Sequence, residues 1–391
     1  MENTDILIAG GGLAGLTAAA RLAGTGADVT LVDPAGPTEE GGTADLRTTA
    51  LLQPAIDTLD RAGAWAGMER VSAPLHCMRL IDAGGRQRIA RETADFRADE
   101  ISAKPFGQNV ENTEIRRALE ARLEAQGATR RQAAATGSFL RGARRVVRLS
   151  DGQQIAARLV IAADGRDSAL RKAAGLSAHR WSYGQKALVF AVTHSAPHEG
   201  ISTEIHSTGG PCTLVPMPDH EGSPSSSVVW MVPGPRAAQL AALDDPGLGT
   251  ALTAETMGLY GPLTLIGGRA VWPIISQIAP KLTAPRLALV AEAVHVIPPI
   301  GAQGLNMSLR DVEVLTGLIE TAEDPGAERV LRSYQSRRFP DIAARVAGVD
   351  MLNRAARAEW QPVRDLRRLG LKAIHEVQPI RQMAMRLGLG V

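Results

Sequence analysis

The sequence predicts an α/β fold: a Rossmann-like parallel sheet covered by helices, interrupted by a mainly antiparallel sheet and followed by a helical C-terminus. Three observations lead to this prediction. Residues 1–33 alternate an apolar strand, an alanine-rich helix and a second apolar strand. The block from Ser182 to Ile278 contains β-branched runs separated by Gly, Pro and Ser clusters. After Asn306 nearly every segment has helical character.

Length, charge and cysteine content narrow the class of protein. A chain of 391 residues suggests two domains, or one large domain with a second one embedded in it. The 43 basic and 41 acidic residues nearly balance, so no nucleic-acid partner is expected. With Cys77 and Cys212 as its only cysteines and no cationic, apolar leader before Asp5, the chain is expected to be reduced and cytoplasmic. No membrane-spanning helix and no metal site are predicted, while attachment to a membrane surface stays open.

The first element is a βαβ unit. "TDILIAG" and "DVTLVD" are short apolar strands, and "LAGLTAAARLA" between them is the helix. Strands that are apolar on both faces suit a parallel sheet with helices on each side.

The turn between the first strand and the helix fits the dinucleotide fingerprint G-x-G-x-x-G. Gly10 permits the tight turn, Gly12 lets a pyrophosphate approach the backbone, and Gly15 brings helix and strand together. The helix N-terminus attracts the phosphate charge, and Asp33 at the end of the second strand is placed to accept the ribose hydroxyls. These observations predict a bound dinucleotide but leave NAD(P) and FAD open. The predicted cofactor contacts here are Gly10, Gly12, Leu13, Ala14, Gly15 and Asp33.

Further elements follow in order along the chain. "TTALLQPAIDTLDRAGAW" predicts a helix ending near Gly63, and "NTEIRRALEARLEAQG" predicts another ending at Gly127. The antiparallel block follows, and the apolar run "RLALVAEAV" then predicts another parallel strand.

A second motif lies in "RLVIAADGRDSALR" (158–171), where a strand is followed by Asp164 and Gly165 and then by Ser168 and Arg171. An Asp-Gly turn after a strand is common by itself, but it does not predict the Ser and the Arg. With these residues the sequence resembles the flavoprotein aromatic hydroxylases of the p-hydroxybenzoate hydroxylase type. That resemblance implies FAD as the cofactor, with Asp164, Gly165, Ser168 and Arg171 among its contacts, and NAD(P)H as a transient electron donor.

The third motif resembles the family's Gly-Asp-Ala-Ala-His followed by Pro-x-x-Gly-x-Gly-x-Asn. Here Ala291 stands for the usual Gly and Glu292 for the usual Asp, so the ribityl contact of Glu292 is expected to be shifted or bridged by water. Two prolines and two glycines make a rigid loop with backbone N–H groups at a helix start, a structure that stabilises an anion such as reduced flavin. The resemblance implies cofactor contacts at Glu292, Pro299, Gly301, Ala302, Gln303, Gly304, Leu305 and Asn306.

Two smaller segments support the same assignment. "ADLRTTAL" (44–51) resembles a family segment that would place Arg47 over the flavin or its pyrophosphate, and "ENTEIRRALEARL" offers Asn112 and Arg116 as FAD contacts. The alternatives are a solvated surface arginine for Arg47 and an N-cap with an exposed helix face for Asn112 and Arg116.

Within the family the chain most resembles the ubiquinone-biosynthesis hydroxylases, through "LRTTAL", "YGQKALV", "GLNMSLRD" and "DMLNR". The resemblance implies hydroxylation of a polyprenylated phenol by O2 through a C4a-hydroperoxyflavin. Pro299, through its backbone, and Arg47 are the expected catalytic positions, and His295 is either catalytic or a packed structural histidine. Trp230 and Trp272 are expected to line the substrate pocket or, alternatively, to be core residues.

The resemblance also implies a domain division. The FAD-binding domain comprises residues 1–75, 108–180 and 282–340, the substrate domain residues 76–107 and 181–281, and the C-terminal helices residues 341–391. In the last segment Leu366, Leu369, Ile374, Val377, Ile380, Met383 and Leu387 recur among basic residues, and Pro379 is expected to divide it into two helices. These helices either pack on the body or form an element that contacts a membrane or a partner.

Two other functions stay open from the sequence. One is an FAD-dependent reductase or epoxidase of an isoprenoid, and the other is a non-catalytic subunit of a biosynthetic complex. Homo-oligomerisation also stays open.

Overall fold

A computed structural model of the chain describes residues 1–36, 47–83, 89–357 and 361–389. Within these residues nineteen strands form two eight-stranded sheets and one three-stranded sheet. The strands are β1 (Glu2–Ala9), β2 (Val29–Asp33), β3 (Thr48–Leu52), β4 (Ser72–Leu75), β5 (Cys77–Asp82), β6 (Glu92–Arg97), β7 (Gly107–Glu111), β8 (Thr129–Gln132), β9 (Ala135–Arg141), β10 (Arg144–Leu149), β11 (Gln154–Ala162), β12 (His179–Thr193), β13 (Ile201–His206), β14 (Pro211–His220), β15 (Ser223–Pro233), β16 (Thr264–Ile278), β17 (Thr283–Ala284), β18 (Leu287–Leu289) and β19 (His295–Val296).

The α-helices of the described residues cover the sheets and form most of the C-terminal part. They are α1 (Leu13–Ala23), α2 (Gln53–Arg61), α3 (Asn112–Ala125), α4 (Ala169–Ala173), α5 (Gly234–Ala241), α6 (Asp245–Glu255), α7 (Gln303–Ile319), α8 (Glu328–Ala356), α9 (Gln361–Glu376) and α10 (Gln378–Leu389).

The first large sheet has the order β17-β18-β11-β1-β2-β8, with β10 paired to β11 and β9 to β10. The pairs β18/β11, β11/β1, β1/β2 and β2/β8 are all parallel. Helix α1 lies between this sheet and helices α3 and α7. A buried core of aliphatic residues from β1, β11, β18, α1 and α7 fills the layers, as the two-sided apolar strands predict.

The second large sheet has the order β19-β16-β12-β15-β14-β13-β5-β6. Its pairs are antiparallel except for β13 with β5, so the prediction of a mainly antiparallel inserted sheet is confirmed. One face packs on α5 and α6 through a cluster that includes Leu188, Phe190 and Trp230. The opposite face carries Ala187, Val189 and Met231 and packs against Ile300 of the third motif.

The small sheet, in the order β3-β7-β4, corrects one predicted helix. The helix expected from Thr48 begins only at Gln53, because Thr48 to Leu52 pair with β7 as an antiparallel strand. The β-branched threonines favour a strand, and Pro54 in the first turn suits the start of the helix. A strand partner more than fifty residues away decided the conformation of this segment.

The C-terminal helices follow the predicted pattern with one difference. Helix α8 is continuous across Pro340, so a domain boundary between residues 340 and 341 would fall inside one helix. Beyond it, α9 ends at Glu376 and α10 begins at Gln378, so the predicted break at Pro379 is observed. The predicted division into an FAD-binding and a substrate domain stays a prediction.

Candidate active site

All three glycine motifs lie at one edge of the first sheet. Each begins where a parallel strand ends: Gly10 follows β1, Asp164 follows β11, and Ala291 follows β18. Asp33 is the last residue of β2, which lies next to β1 in the same sheet. Because the carboxyl ends of adjacent parallel strands share one edge, these turns surround a single crevice, where α/β sheets bind their ligands.

The first two motifs are packed so closely that glycine is required at two positions. The Ala163 N–H donates a 2.8 Å hydrogen bond to the Ala9 carbonyl. A Cβ atom on Gly10, whose φ is +108°, would lie 2.2 Å from the Ala163 carbonyl oxygen, and one on Gly15 would lie 1.9 Å from the Gly10 carbonyl oxygen. These glycines serve the turn and the contact between helix and strand, as the fingerprint predicts.

At Gly12, in contrast, packing within the protein does not require glycine. A Cβ atom there would have no atom of the described chain within 4 Å. Gly12 is also the N-cap residue of α1, a helix start that no side chain caps in the described part of the structure. Open space beside uncapped N–H groups at a helix N-terminus is the arrangement that a pyrophosphate needs, so the residues present fit a dinucleotide.

Asp33 binds the same turn from the side. Its Oδ2 accepts a hydrogen bond from the Gly11 N–H, and its Oδ1 accepts a 2.8 Å bond from the Ala35 N–H. The carboxylate therefore holds the glycine turn in place, and its predicted contact with the ribose hydroxyls stays a prediction. Leu13 and Ala14 form the first turn of α1 beside it.

The second motif contributes a half-buried carboxylate, one oxygen of which is buried and has no hydrogen-bond partner among the described residues. Asp164 Oδ2 accepts a 3.1 Å hydrogen bond from the Leu170 N–H, whereas its buried Oδ1 has no partner among the described residues. Burial raises the pKa of the Asp164 carboxyl. An unpaired buried acceptor is costly, so this oxygen fits a hydroxyl or N–H donor supplied by a cofactor. Gly165 beside it has a φ of +80°, which favours glycine.

Ser168 and Arg171 act within the protein. Ser168 Oγ accepts a 2.9 Å bond from the Arg171 N–H. The guanidinium of Arg171 donates to the Arg166 carbonyl at 2.9 Å and to the Ala293 carbonyl at 2.7 Å. Both side chains are buried, so the geometry favours a role in joining the second motif to the third. Their direct contact with a cofactor stays a prediction.

The loop of the third motif is joined to the segment that carries Arg47. Asn306 Nδ2 donates to the Ala50 carbonyl at 2.8 Å and to the Ala302 carbonyl at 2.6 Å, and its Oδ1 accepts from the Leu52 N–H at 2.8 Å. The amide that the family resemblance assigns to the cofactor therefore bonds to backbone groups of β3 and of its own loop.

The loop itself has an unusual backbone before helix α7. Gly301 and Ala302 have φ values of +62° and +55°, and Ala302 is the N-cap of α7, which no side chain caps in the described residues. Pro299 is exposed and Ile300 is buried. Gln303, Gly304 and Leu305 make up the first turn of α7, where N–H groups can face an anion.

The two departures from the family pattern have different structural outcomes. Ala291 has a φ of +57°, a conformation that the family's glycine adopts without strain. The side chain of Glu292 is exposed, and its carbonyl accepts a 3.1 Å bond from Gln277 Nε2. A contact of Glu292 with a cofactor hydroxyl stays a prediction.

His295 lies in a buried ionic network. Its Nε2 is 2.8 Å from Asp311 Oδ2, which also accepts a 3.0 Å bond from the Ala291 N–H. Asp311 Oδ1 accepts a 2.9 Å bond from Arg338 Nε. Burial alone would raise the pKa of Asp311, but His295 and Arg338 hold it below its usual value. With a side chain only 1% exposed, His295 fits the structural alternative better than the catalytic one.

Sequence reasoning missed Asp311 and Arg338. The available signal was an acid within the apolar periodic run of α7, but its partner Arg338 lies on the next helix. Pairing between the two could not be read from spacing along one helix.

Two of the remaining predicted contacts, Arg47 and Asn112, are joined by a hydrogen bond. The Asn112 N–H donates to the Arg47 carbonyl at 3.0 Å, and Asn112 Oδ1 accepts a 2.7 Å bond from Thr49 Oγ1. Arg116, one turn further along α3, lies 3.5 Å from Glu120. Residues 44–46 of the Arg47 segment lie outside the described residues. The FAD contacts of Arg47, Asn112 and Arg116 stay predictions.

The two tryptophans lie on opposite faces of the second sheet. Trp272 pairs with Ala187 on the face towards the crevice, is 44% exposed, and has the Arg47 guanidinium 5.4 Å from its ring centroid. Trp230 is 2% exposed and packs with Leu240 and Leu252 of α5 and α6. The expectation that Trp230 lines the substrate pocket is therefore corrected: it is a core residue, because the alternation of the strand directs it to the other face.

Comparison with known proteins agrees with this geometry. The family described as "FAD binding domain" matches residues 3–348. The chain belongs to this family. It is an FAD-dependent hydroxylase with a small-molecule substrate and O2, and NAD(P)H is the electron donor typical of the family. The predicted cofactor is confirmed.

Curated relatives match over nearly the whole chain. A ubiquinone hydroxylase of Rhodospirillum rubrum, UbiL, is 33% identical, with 99% of this chain and 89% of the relative covered. The 3-demethoxyubiquinol 3-hydroxylase of Escherichia coli is 28% identical, with 100% and 99% covered. The predicted family is thereby confirmed.

Solved structures share the fold. The p-nitrophenol 4-monooxygenase PnpA of Pseudomonas putida has a TM-score of 0.80 at 16% identity, with 98% of this chain and 97% of that chain covered. The protein pqsL of Pseudomonas aeruginosa has a TM-score of 0.75 at 22% identity, with 95% of this chain and 100% of that chain covered. The predicted fold class is confirmed.

Proposed function

We propose that this chain hydroxylates the ring of a polyprenylated phenol in ubiquinone biosynthesis, using FAD and NAD(P)H. The observation that carries the proposal is one shared crevice: the glycine turns meet on one side, and the apolar face of the second sheet lies on the other. The relatives named as ubiquinone hydroxylases support the choice of substrate.

The wall that faces the third motif suits a lipophilic substrate. Val189, Met231 and Ile274 of the second sheet pack with Ile300, and the half-buried Ile297 adjoins them. An aliphatic surface of this kind would remove an isoprenoid tail from water without needing a polar partner.

The chain's own residues supply orientation and charge. The redox chemistry would come from bound FAD, which can accept a hydride from NAD(P)H and activate O2. The start of α7 stabilises negative charge beside the Pro299 loop, and Arg47 adds a fixed cation at the Trp272 side of the crevice. Pro299 holds the loop rigid, so the substrate ring would be positioned by backbone rather than by a mobile side chain.

We further propose that the enzyme works at the inner surface of a membrane or within a biosynthetic complex, and that it can self-associate. No helix in the described ranges is long and apolar enough to cross a bilayer. A lipophilic substrate and a C-terminal segment with exposed apolar residues support contact at the surface.

The test is the reaction with a short-chain prenylated phenol, NAD(P)H and labelled O2. We expect the phenol to stimulate NAD(P)H oxidation and one labelled oxygen atom to enter the ring. Label in the isoprenoid chain would instead show an epoxidase, and oxidation without label in any product would show a reductase. In the host, removal of the protein should cause a prenylated phenol that lacks one ring hydroxyl to accumulate.

A further inference from the structure

The C-terminal hairpin, defined as α9 and α10 (residues 361–389), directs charged side chains towards the body of the protein. Arg367 Nε donates to Asp82 Oδ1 at 2.9 Å, and the Asp82 side chain is buried. Arg381 Nε donates to Glu100 Oε2 at 2.8 Å. Partly buried ion pairs with this geometry fix which face of each helix meets the body.

The opposite face of the hairpin is apolar and exposed. A surface helix in a globular protein normally places its apolar stripe against the core, and this hairpin does the reverse over most of its length. The large apolar side chains on this face, with their exposed fractions, are Leu366 (69%), Leu369 (56%), Ile374 (37%), Val377 (44%), Ile380 (47%), Met383 (62%) and Leu387 (66%). A contiguous apolar surface of this kind is typical of an interaction site.

The charge around this face selects one kind of partner. The hairpin has six basic residues against two acidic ones, Asp365 and Glu376. Arg364, Arg367 and Arg381 face the body, while Lys372 and Arg386 are exposed beside the apolar residues. Exposed apolar side chains with basic residues at their edge match the boundary between acyl chains and anionic headgroups.

The hairpin also lies on the same face of the second sheet as the active site. Along one line of paired residues, Val189, Val229, Thr213, Glu204 and Leu80 share a face, because directly opposed residues point to the same side. Val189 packs with Ile300 of the third motif, and Leu80 packs against the buried cluster that contains Met385 of the hairpin. Four strand-to-strand spacings separate Val189 from Leu80 across the sheet, a distance of about 19 Å.

A direct contact joins the hairpin to the cofactor loop. Gln303 Nε2, in the first turn of α7, donates to the Gly388 carbonyl at 3.1 Å. A surface bound to the hairpin would therefore adjoin the helix start next to which the substrate ring is expected.

We propose that the C-terminal hairpin docks on a lipid bilayer with anionic headgroups and holds the substrate face of the second sheet against the membrane. This inference rests on the proposed function for its choice of a lipophilic substrate. The apolar residues enter the acyl boundary, and Lys372 and Arg386 bind headgroups. A prenylated phenol then enters from the bilayer.

The experiment is flotation of the full-length holoenzyme with two kinds of vesicle: phosphatidylcholine alone, and phosphatidylcholine with about one third phosphatidylglycerol. The variants are Leu369→Glu, Met383→Glu and Lys372→Gln. Leu140→Glu is the matched control, because Leu140 is 50% exposed but lies on β9, away from the hairpin. FAD content and Tm confirm that each variant is folded.

We expect wild type to float with the anionic vesicles and less with the neutral ones, and added salt to weaken this binding. Each Leu→Glu or Met→Glu change in the hairpin should lower the partition coefficient about tenfold or more, since a buried apolar side chain is lost. Lys372→Gln should lower it only on anionic vesicles, and Leu140→Glu should float like wild type.

Two results would overturn the proposal. One is a wild type that does not float with anionic vesicles, or that floats no better than Leu369→Glu and Met383→Glu. The other is a wild type that does not float but forms a dimer that Leu369→Glu dissociates, which would assign the face to a second copy. Hydroxylation of a short-chain phenol in solution is measured in parallel. If wild type floats but does not hydroxylate the phenol, the proposed function is rejected and the proposed docking surface is retained.

Discussion

The guanidinium of Arg47 lies 5.4 Å from the centroid of the Trp272 ring, so the residue just before β3 meets a residue of the antiparallel sheet. A cation over an indole face is attracted by about 0.5–1 kcal/mol at an exposed site. The contact joins the cofactor side to the substrate side and sets the first prediction.

Trp272→Ala should weaken substrate binding without affecting the fold. Trp272 is 44% exposed, so its removal leaves no buried cavity, but it takes away an aromatic wall and the partner of Arg47. We expect KM for the phenol to rise several-fold with the FAD content unchanged. Steady-state kinetics and the flavin absorbance measure both, and an unchanged KM would remove Trp272 from the pocket.

Trp230→Ala, in contrast, should destabilise the fold. Trp230 is fully enclosed between the sheet and helices α5 and α6. Loss of a buried tryptophan typically lowers the free energy of unfolding by about 3–5 kcal/mol. Urea denaturation of both tryptophan variants tests the assignment of faces, and equal destabilisation of the two would contradict it.

Gly12→Ala should separate cofactor binding from folding. An added Cβ meets no described atom of the chain, yet it enters the space expected for the pyrophosphate. We expect at least about tenfold weaker FAD binding with little change in the Tm of the apoprotein. Gly15→Ala is the matched variant, because its Cβ would lie 1.9 Å from the Gly10 carbonyl oxygen and should lower Tm itself. Full FAD affinity in Gly12→Ala would place the cofactor elsewhere.

Asp311→Asn should destabilise the protein most near neutral pH. Asp311 is buried with His295 and Arg338, and breaking a buried ion pair typically costs about 3–5 kcal/mol. Arg338 keeps its second partner, Asp341, so we expect a loss at the lower end of that range. Because its folded pKa lies below the unfolded value, its contribution is present above about pH 4 and is lost as the pH falls through the folded pKa.

The difference between wild type and Asp311→Asn should therefore shrink in acid. Urea denaturation near neutral pH and below about pH 4 measures it. Asp324→Asn is the control, since Asp324 also has a lowered pKa and an arginine partner but is one-third exposed. Its effect should be within about 1 kcal/mol. A constant difference for Asp311→Asn at all pH values would show that its charge does not stabilise the network.

Ala291→Gly should relieve backbone strain. The φ of Ala291 is +57°, a conformation that costs a residue with a Cβ about 1–2 kcal/mol. Glycine avoids this cost, and the gain offsets the extra conformational entropy that glycine gives the unfolded chain. We expect a Tm equal to or above that of wild type. Ala293→Gly, which has no positive φ and is also buried, should lower Tm. Parallel losses in both variants would show that residue 291 is not strained.

The sequence by itself determined the parts of this protein whose cause is local. A strand, a glycine turn and a helix follow from apolar runs and from residues that alone permit tight turns, so the three motifs could be placed at the ends of strands. The inserted sheet and the break at Pro379 followed in the same way, because alternation and proline act on the residues beside them.

Only the tertiary structure decided what depends on a distant partner. Thr48 to Leu52 became a strand through pairing with β7, and Trp230 became core through helices α5 and α6. Arg171 and Asn306, assigned to the cofactor from motifs, bond to backbone groups of other segments. The hairpin could be predicted as amphipathic, but Asp82 and Glu100, nearly 300 residues away, decide that its apolar face points outward. Periodicity shows that a helix has two faces, and the ion pairs and side-chain packing formed on folding select the one that meets the body.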